Sequence, residues 1–156
     1  MLWFYRFLAT GFGSGYSPIA PGTAGAIMGI LLLYGWQLIT PEGYFVKNNF
    51  IPLLIVTIIF NMIGVFVTNK VEKDWGPDPS RVVIDEIVGV WIAVLWIPPT
   101  LLNWALAFVL FRFFDIAKPL GIRKLEAIKG GWGVMLDDVL AGVYSNLALQ
   151  VIYRLL

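Results

Sequence analysis

Two carboxylates stand inside an otherwise apolar stretch of the chain. Asp85 and Glu86 follow Val82-Val83-Ile84 and precede Ile87-Val88-Gly89-Val90-Trp91. A carboxylate in an apolar membrane segment costs on the order of a few kcal/mol unless it is paired or bound to a metal. These two acids are therefore interpreted as functional. The structural alternative is a helix start in which the macrodipole favours both acids and Arg81 pairs with Asp85.

A second group of charged residues recurs every third position. Arg112, Asp115 and Lys118 share one face of a predicted helix that ends before Pro119. Guanidinium and ammonium groups bind phosphate, and an acid between them binds a metal or orients both cations. This pattern indicates an anion site. An interfacial anchor held by internal salt bridges is the alternative.

Another acidic pair follows a run of glycines. Gly130-Gly131-Trp132-Gly133 is interpreted as a flexible approach that brings Asp137 and Asp138 to the start of the last predicted span. The two acids would then lie near the other charged helix ends. One of them is explained equally well as an N-cap.

A glycine- and proline-rich segment, 11–23, precedes the first predicted span. Its spacing is not that of a dinucleotide-binding fingerprint. The start of a helix does offer backbone N–H groups to an anion, and Ser17 or Thr23 adds a hydroxyl beside Gly22. A glycine-rich entry into a tightly packed helix accounts for the spacing as well.

The absence of two residue types narrows the chemistry. The chain has no Cys and no His, which excludes disulfides, thiol nucleophiles, imidazole bases and soft-metal sites. Carboxylate oxygens select a hard cation, Mg²⁺ or Mn²⁺, which commonly also binds a substrate phosphate. The net charge of +1 gives no reason to expect a nucleic-acid partner. The residues together predict metal-assisted phosphoryl transfer at a membrane surface.

These side chains need a helical membrane scaffold to position them. Of the 156 residues, 59% are hydrophobic and 13% are charged, which predicts an all-α, polytopic membrane protein with one domain, 1–156. About 20 apolar residues cross a bilayer. Five membrane-embedded helices are predicted at 23–39, 50–68, 82–97, 100–114 and 138–155. The third and fourth form a hairpin at Pro98-Pro99, with one kinked span as the alternative, and residues 1–8 form an interfacial segment.

Charge asymmetry orients these spans. With five crossings, nine cations lie on one side and only Lys47 and Arg154 on the other. The cation-rich side is therefore predicted to be cytoplasmic, with the C-terminus outside. Nearly all acids share that side, and only Glu42 lies opposite. The predicted site thus faces the cytoplasm.

Four motifs in this order resemble the phosphatidylglycerophosphatase A family. They are Gly11-Phe-Gly-Ser-Gly-Tyr-Ser-Pro-Ile-Ala-Pro-Gly-Thr23, Val83-Ile-Asp-Glu-Ile-Val-Gly89, Arg112-Phe-Phe-Asp-Ile-Ala-Lys-Pro119 and Gly130-Gly-Trp-Gly-Val-Met-Leu-Asp-Asp-Val-Leu-Ala-Gly142. The chain departs from the usual pattern at Leu120-Gly121-Ile122, where the family often has an aromatic residue and a second proline.

The resemblance implies a bacterial, all-helical, Mg²⁺-dependent phosphatase of the inner membrane that converts phosphatidylglycerophosphate to phosphatidylglycerol. Arg112 and Lys118 would then clamp the phosphate, and Ser17, Gly22 and Thr23 would supply further donors. The expected Mg²⁺ site consists of Asp85, Glu86, Asp115, Asp137 and Asp138.

The expected nucleophile is a metal-bound water with one carboxylate as base, and a phosphoaspartate is the alternative. The expected partners are the phospholipid substrate and membrane lipids, and a homo-oligomer is compatible with the sequence. The rival functions are a divalent-cation transporter or channel that uses the same acids, and a structural subunit.

Overall fold

The computed structural model describes residues 2–40 and 50–155. The predicted outer loop, with Glu42 and Lys47, lies outside these ranges. The described chain is helical and contains no strand, which confirms the all-α prediction. Its helices are α1 (Leu2–Ala9), α2 (Pro21–Ile39), α3 (Ile51–Trp75), α4 (Ile84–Ala93), α5 (Leu101–Ala117), α6 (Ile122–Leu125) and α7 (Gly131–Leu155), with one 3₁₀ turn at Ser14–Tyr16.

Local sequence signals set several helix ends. Pro21 occupies the first turn of α2, where its missing N–H is not needed. Gly76, at φ +86°, ends α3 and donates its N–H to the Glu72 carbonyl. At the start of α5, the Thr100 hydroxyl accepts from the Asn103 N–H at 3.2 Å. Helix α2 begins two residues before its predicted start and α5 one residue after it, whereas α3 runs seven residues beyond its predicted end at residue 68.

Helix α4 lies at the centre of the fold, packed against α2, α3, α5 and α7. Glycines allow its close approach to α7. A Cβ on Gly142 would lie 2.4 Å from the Gly89 carbonyl oxygen, and a Cβ on Gly89 would lie 3.0 Å from the Asp138 carbonyl oxygen. Eight of the ten α4 residues are buried. The crossing therefore fixes the acids at the start of α4 beside those at the start of α7.

Within residues 2–40 and 50–155, two helices, α2 and α3, are long and apolar enough to cross a membrane. The outer face of α3 carries apolar side chains that are about half exposed, among them Ile55, Ile58 and Phe66. A soluble protein would rarely leave such a continuous apolar face in water. These features favour association of the chain with a membrane.

The structure does not confirm five membrane helices. Helix α4 has ten residues, well below the length of a span, and it is enclosed by its neighbours. The chain does break at the two prolines: α4 ends at Ala93, Trp96 has φ +60°, and α5 begins at Leu101. The hairpin of α4 and α5 within the bilayer stays a prediction.

The interpretation of 130–133 as a flexible glycine approach is wrong. Helix α7 begins at Gly131, seven residues before the predicted start, because Gly131 and Gly133 allow close backbone contacts. A Cβ on Gly131 would lie 2.3 Å from the Val65 carbonyl oxygen, and one on Gly133 would lie 1.9 Å from the Ile128 carbonyl oxygen. These glycines serve packing, and Asp137 and Asp138 lie in the second turn of a helix.

Candidate functional site

A cavity of about 670 Å³ opens where the ends of five helices meet, and four of these ends carry charged residues. Its walls come from the starts of α2, α4 and α7, the ends of α3 and α5, and the loops at 77–82 and 126–130. Eight of the ten predicted site residues line it: Gly22, Asp85, Glu86, Arg112, Asp115, Lys118, Asp137 and Asp138. The tertiary structure thus gathers motifs that are far apart in the sequence.

Arg112 bridges two carboxylates on the α5 side of the cavity. Its Nη1 lies 2.5 Å from Oε2 of Glu86 and 2.7 Å from Oδ2 of Asp115. The second contact is the i,i+3 pair that the helix periodicity predicts. The first joins α5 to α4 and needs the tertiary fold. Since all three side chains are largely buried, these charge-assisted hydrogen bonds fix the positions of both acids.

Lys118 links α5 to α7 and to the loop that precedes α7. Its Nζ donates to Oδ2 of Asp137 at 2.7 Å and to Oε1 of Glu126 at 2.6 Å. Burial lowers the pKa of Lys118, but the hydrogen bonds to the two carboxylates outweigh it, and the net shift is upward. Burial raises the pKa of Asp137, a shift that the hydrogen bond from Lys118 opposes. Lys118 is therefore a fixed positive charge at neutral pH.

Three carboxylates converge in a way that fits a hard divalent cation. Glu86, Asp115 and Asp138 each have one oxygen within 4.8 Å of the other two. Negative charges that are this close together and largely buried repel strongly unless a cation lies among them. Arg112 supplies one positive charge, whereas three ionised carboxylates carry three negative charges, so the cluster keeps a net negative charge. A donor set of buried carboxylate oxygens suits Mg²⁺, which prefers oxygen ligands.

Two more acids complete the wall of the cavity. Asp85 and Asp137 each accept the backbone N–H of the following residue at 3.0 Å. These bonds hold one oxygen of each side chain. The other oxygen of Asp137 accepts from Lys118 at 2.7 Å, and the other oxygen of Asp85 is left for a ligand. All five predicted acids therefore lie at one site, and their division between metal ligands and other roles stays a prediction.

The start of α2 contributes backbone to the cavity. A Cβ on Gly22 would lie 1.9 Å from Oε1 of Glu86 and 3.2 Å from Nη1 of Arg112. Only glycine lets α2 approach this ion pair so closely. Ser17 and Thr23 are not among the residues that line the cavity, and the Ser17 hydroxyl donates to the Ile19 carbonyl at 2.8 Å. Their predicted contact with phosphate stays a prediction.

Sequence reasoning missed two side chains that organise the site. The sequence pattern assigns no role to Glu126, but the turn through α6 brings its carboxylate to Lys118 at 2.6 Å. Asn69, on α3, accepts the Gly131 N–H at 2.9 Å and so holds the start of α7. Each contact joins residues brought together only by the fold. The one signal in the sequence was the position of Glu126 directly after a basic segment that contains Arg123 and Lys124.

Comparison with known proteins agrees with this geometry. The family model described as phosphatidylglycerophosphatase A matches residues 7–153. A Bacteroides thetaiotaomicron protein, provisionally named phosphatidylinositol-3-phosphatase, is 49% identical over 92% of this chain and 90% of its own length.

Two relatives are named phosphatidylglycerophosphatase A. The Escherichia coli protein is 37% identical over 90% of this chain and 78% of its own length. The Haemophilus influenzae protein is 40% identical over 93% of this chain and 86% of its own length. No solved structure matches the chain. By the extent of these matches, the chain belongs to the phosphatidylglycerophosphatase A family and is a phosphatase.

Proposed function

We propose that this protein hydrolyses the terminal phosphomonoester of phosphatidylglycerophosphate, with Mg²⁺, at the cytoplasmic face of a bacterial inner membrane. The observation that carries the proposal is the convergence of Glu86, Asp115 and Asp138 beside Arg112 in one cavity. The names of two relatives supply the substrate. The cavity is large enough for a phosphorylated glycerol headgroup.

The cavity residues have separable roles in this reaction. The phosphomonoester carries up to two negative charges, which Arg112 and Lys118 offset at the cavity wall. Glu86, Asp115 and Asp138 would hold Mg²⁺, with Asp85 and Asp137 beside them. When bound, Mg²⁺ would offset phosphate charge and promote ionisation of water.

The reaction is a phosphoryl transfer to water. A bond forms between the water oxygen and phosphorus, the ester bond to the glycerol breaks, and a carboxylate takes up the proton of the water. The leaving alkoxide is protonated to give the free hydroxyl of phosphatidylglycerol. Burial of the acids keeps bulk water from screening the charges that guide this step.

A second phospholipid substrate deserves a direct test because of the Bacteroides relative. Phosphatidylinositol-3-phosphate also carries a phosphomonoester on a polyol that a phosphodiester joins to diacylglycerol. The same cavity chemistry applies to both lipids. Phosphate release from each, measured side by side on the purified protein, decides the substrate.

The test compares the wild type with two isosteric variants in detergent micelles. Asp138→Asn removes one of the converging carboxylates. Asp74→Asn removes an exposed acid whose one ion pair among the described residues is with Arg6, at 3.4 Å. We expect Mg²⁺-dependent phosphate release from phosphatidylglycerophosphate by the wild type and Asp74→Asn. We expect a loss of at least about 100-fold in Asp138→Asn, because one buried carboxylate contributes several kcal/mol to a bound transition state.

Two results would contradict the proposal. One is full phosphatase activity, either of Asp138→Asn with Mg²⁺ present or of the wild type in excess EDTA. The other is Mg²⁺ or Mn²⁺ flux into proteoliposomes that depends on Asp138, with no phosphate release from either lipid, which would favour the transport function instead.

A further inference from the structure

We propose that Glu126 is a positioning residue that holds the Lys118 ammonium in place to receive the substrate phosphate. The inference rests on the proposed function only in that Lys118 binds the phosphate. Neither the periodicity of α5 nor the acidic pairs points to Glu126, which lies in the segment between α6 and α7.

The geometry of Lys118 supports this role. Its backbone ends α5 in the left-handed region, at φ +45° and ψ +52°, and its side chain is 20% exposed. The ammonium has three N–H donors. Glu126 and Asp137 accept two of them from either side, at 2.6 and 2.7 Å. The third remains for one phosphate oxygen at the cavity that Lys118 lines.

The position of Glu126 is itself determined by the fold. Gly121, at φ +91°, turns the chain into α6, and Ile122 is completely buried beneath it. The Tyr144 hydroxyl of α7 donates to the Leu120 carbonyl at 3.1 Å and holds the preceding turn. Glu126 therefore approaches Lys118 from a segment anchored to α7.

The exposure of Glu126 argues against a role in fold stability. Its side chain is 44% exposed, and ion pairs that reach solvent contribute little to stability. A freely moving lysine, by contrast, loses considerable side-chain entropy when it binds a ligand. An acid that already holds the ammonium reduces that loss at the moment of phosphate binding.

The charge of Glu126 and its positioning of Lys118 predict opposite effects of Glu126→Gln on KM. The substitution removes a negative charge from the wall of a cavity that receives an anion, so electrostatics alone would lower KM. Loss of positioning would raise it. Asp78→Asn is the matched control, because Asp78 is exposed, lines the same cavity and pairs with no cation among the described residues.

The experiment measures kcat and KM for phosphatidylglycerophosphate in micelles, and the affinity for inorganic phosphate with Mg²⁺ by calorimetry. We expect Glu126→Gln to raise KM and the phosphate Kd by about 5- to 20-fold, the range for a partly exposed hydrogen bond between charged groups. The kcat should change by less than about threefold. Glu126→Asp, which keeps the carboxylate, should recover part of the loss, and Asp78→Asn should leave both constants unchanged or lower.

A double-mutant cycle with Lys118→Ala tests whether Glu126 acts through Lys118. Once the ammonium is gone, we expect Glu126→Gln to leave KM and the phosphate Kd unchanged or slightly lower, because only the charge effect remains. An equal effect in both backgrounds, or a KM in Glu126→Gln that matches Asp78→Asn, would overturn the inference. If the wild type hydrolyses neither lipid, the proposed function fails, and the phosphate affinities still decide the role of Glu126.

Discussion

Replacing Arg112 by Met should destabilise the protein in a way that Mg²⁺ repairs. Arg112 is the cation that contacts both Glu86 and Asp115, at 2.5 and 2.7 Å, and all three side chains are less than a fifth exposed. Methionine fills a similar volume but leaves two buried carboxylates without their partner. Breaking a buried ion pair in this way costs about 3–5 kcal/mol.

For a chain of this size, that loss corresponds to a fall in the unfolding temperature of roughly 6–20 °C in EDTA. A divalent cation that binds Glu86, Asp115 and Asp138 would restore part of the missing positive charge. Mg²⁺ should therefore raise the unfolding temperature of Arg112→Met by more than it raises that of the wild type. Activity should not recover, because the phosphate still lacks the guanidinium.

The assay is thermal unfolding in detergent, followed by circular dichroism, with and without Mg²⁺. Arg6→Met is the control, since Arg6 pairs with Asp74 at 3.4 Å near the surface and its loss should cost less than about 1 kcal/mol. The reasoning fails if Arg112→Met unfolds at the wild-type temperature in EDTA. It also fails if Mg²⁺ stabilises the two proteins equally, because the carboxylates would then not share the cation with Arg112.

Two further outcomes test the packing and the orientation. Gly89→Ala should destabilise the protein by about 1–3 kcal/mol because its Cβ would lie 2.3 Å from Phe111; Gly35→Ala, with nothing within 4 Å, should be neutral or slightly stabilising in the same unfolding assay. Equal stability of the two variants would refute the close packing of α4 against α5 at Gly89. Since the chain has no Cys, Lys129→Cys gives a single label site, and a membrane-impermeant maleimide should label it in inside-out vesicles but not in right-side-out ones. The reverse pattern would contradict the predicted cytoplasmic face.

The sequence alone predicted the chemistry of the site because residue type limits it. Without Cys or His, only carboxylates, cations, hydroxyls and backbone remained, and an acidic pair in an apolar segment needed a compensating partner. The shared face of Arg112 and Asp115 followed from helical periodicity, which acts over three or four residues and needs no tertiary information. The proline- and glycine-rich segment before α2 is a local signal in the same sense, and Pro21 lies in the first turn of that helix.

The membrane spans were predicted less well, and the reason is physical. An apolar run that crosses a bilayer and one buried among other helices have the same composition. Hydropathy therefore predicted a membrane-embedded arm at 82–97, although the ten residues of α4 are enclosed by α2, α3, α5 and α7. The glycines at 131 and 133 suggested flexibility, since only the fold shows the backbone atoms against which they pack.

What only the tertiary structure decided is which charges meet. Glu86 contacts Arg112 across 26 residues of sequence, and Lys118 contacts Asp137 across 19. No periodicity encodes those distances. They depend on the glycine-mediated crossing of α4 and α7 and on the return of the chain through α6, which places Glu126 against Lys118. The sequence determined the chemical groups and their local faces, whereas the packing of the helices converted separate charged ends into one cavity.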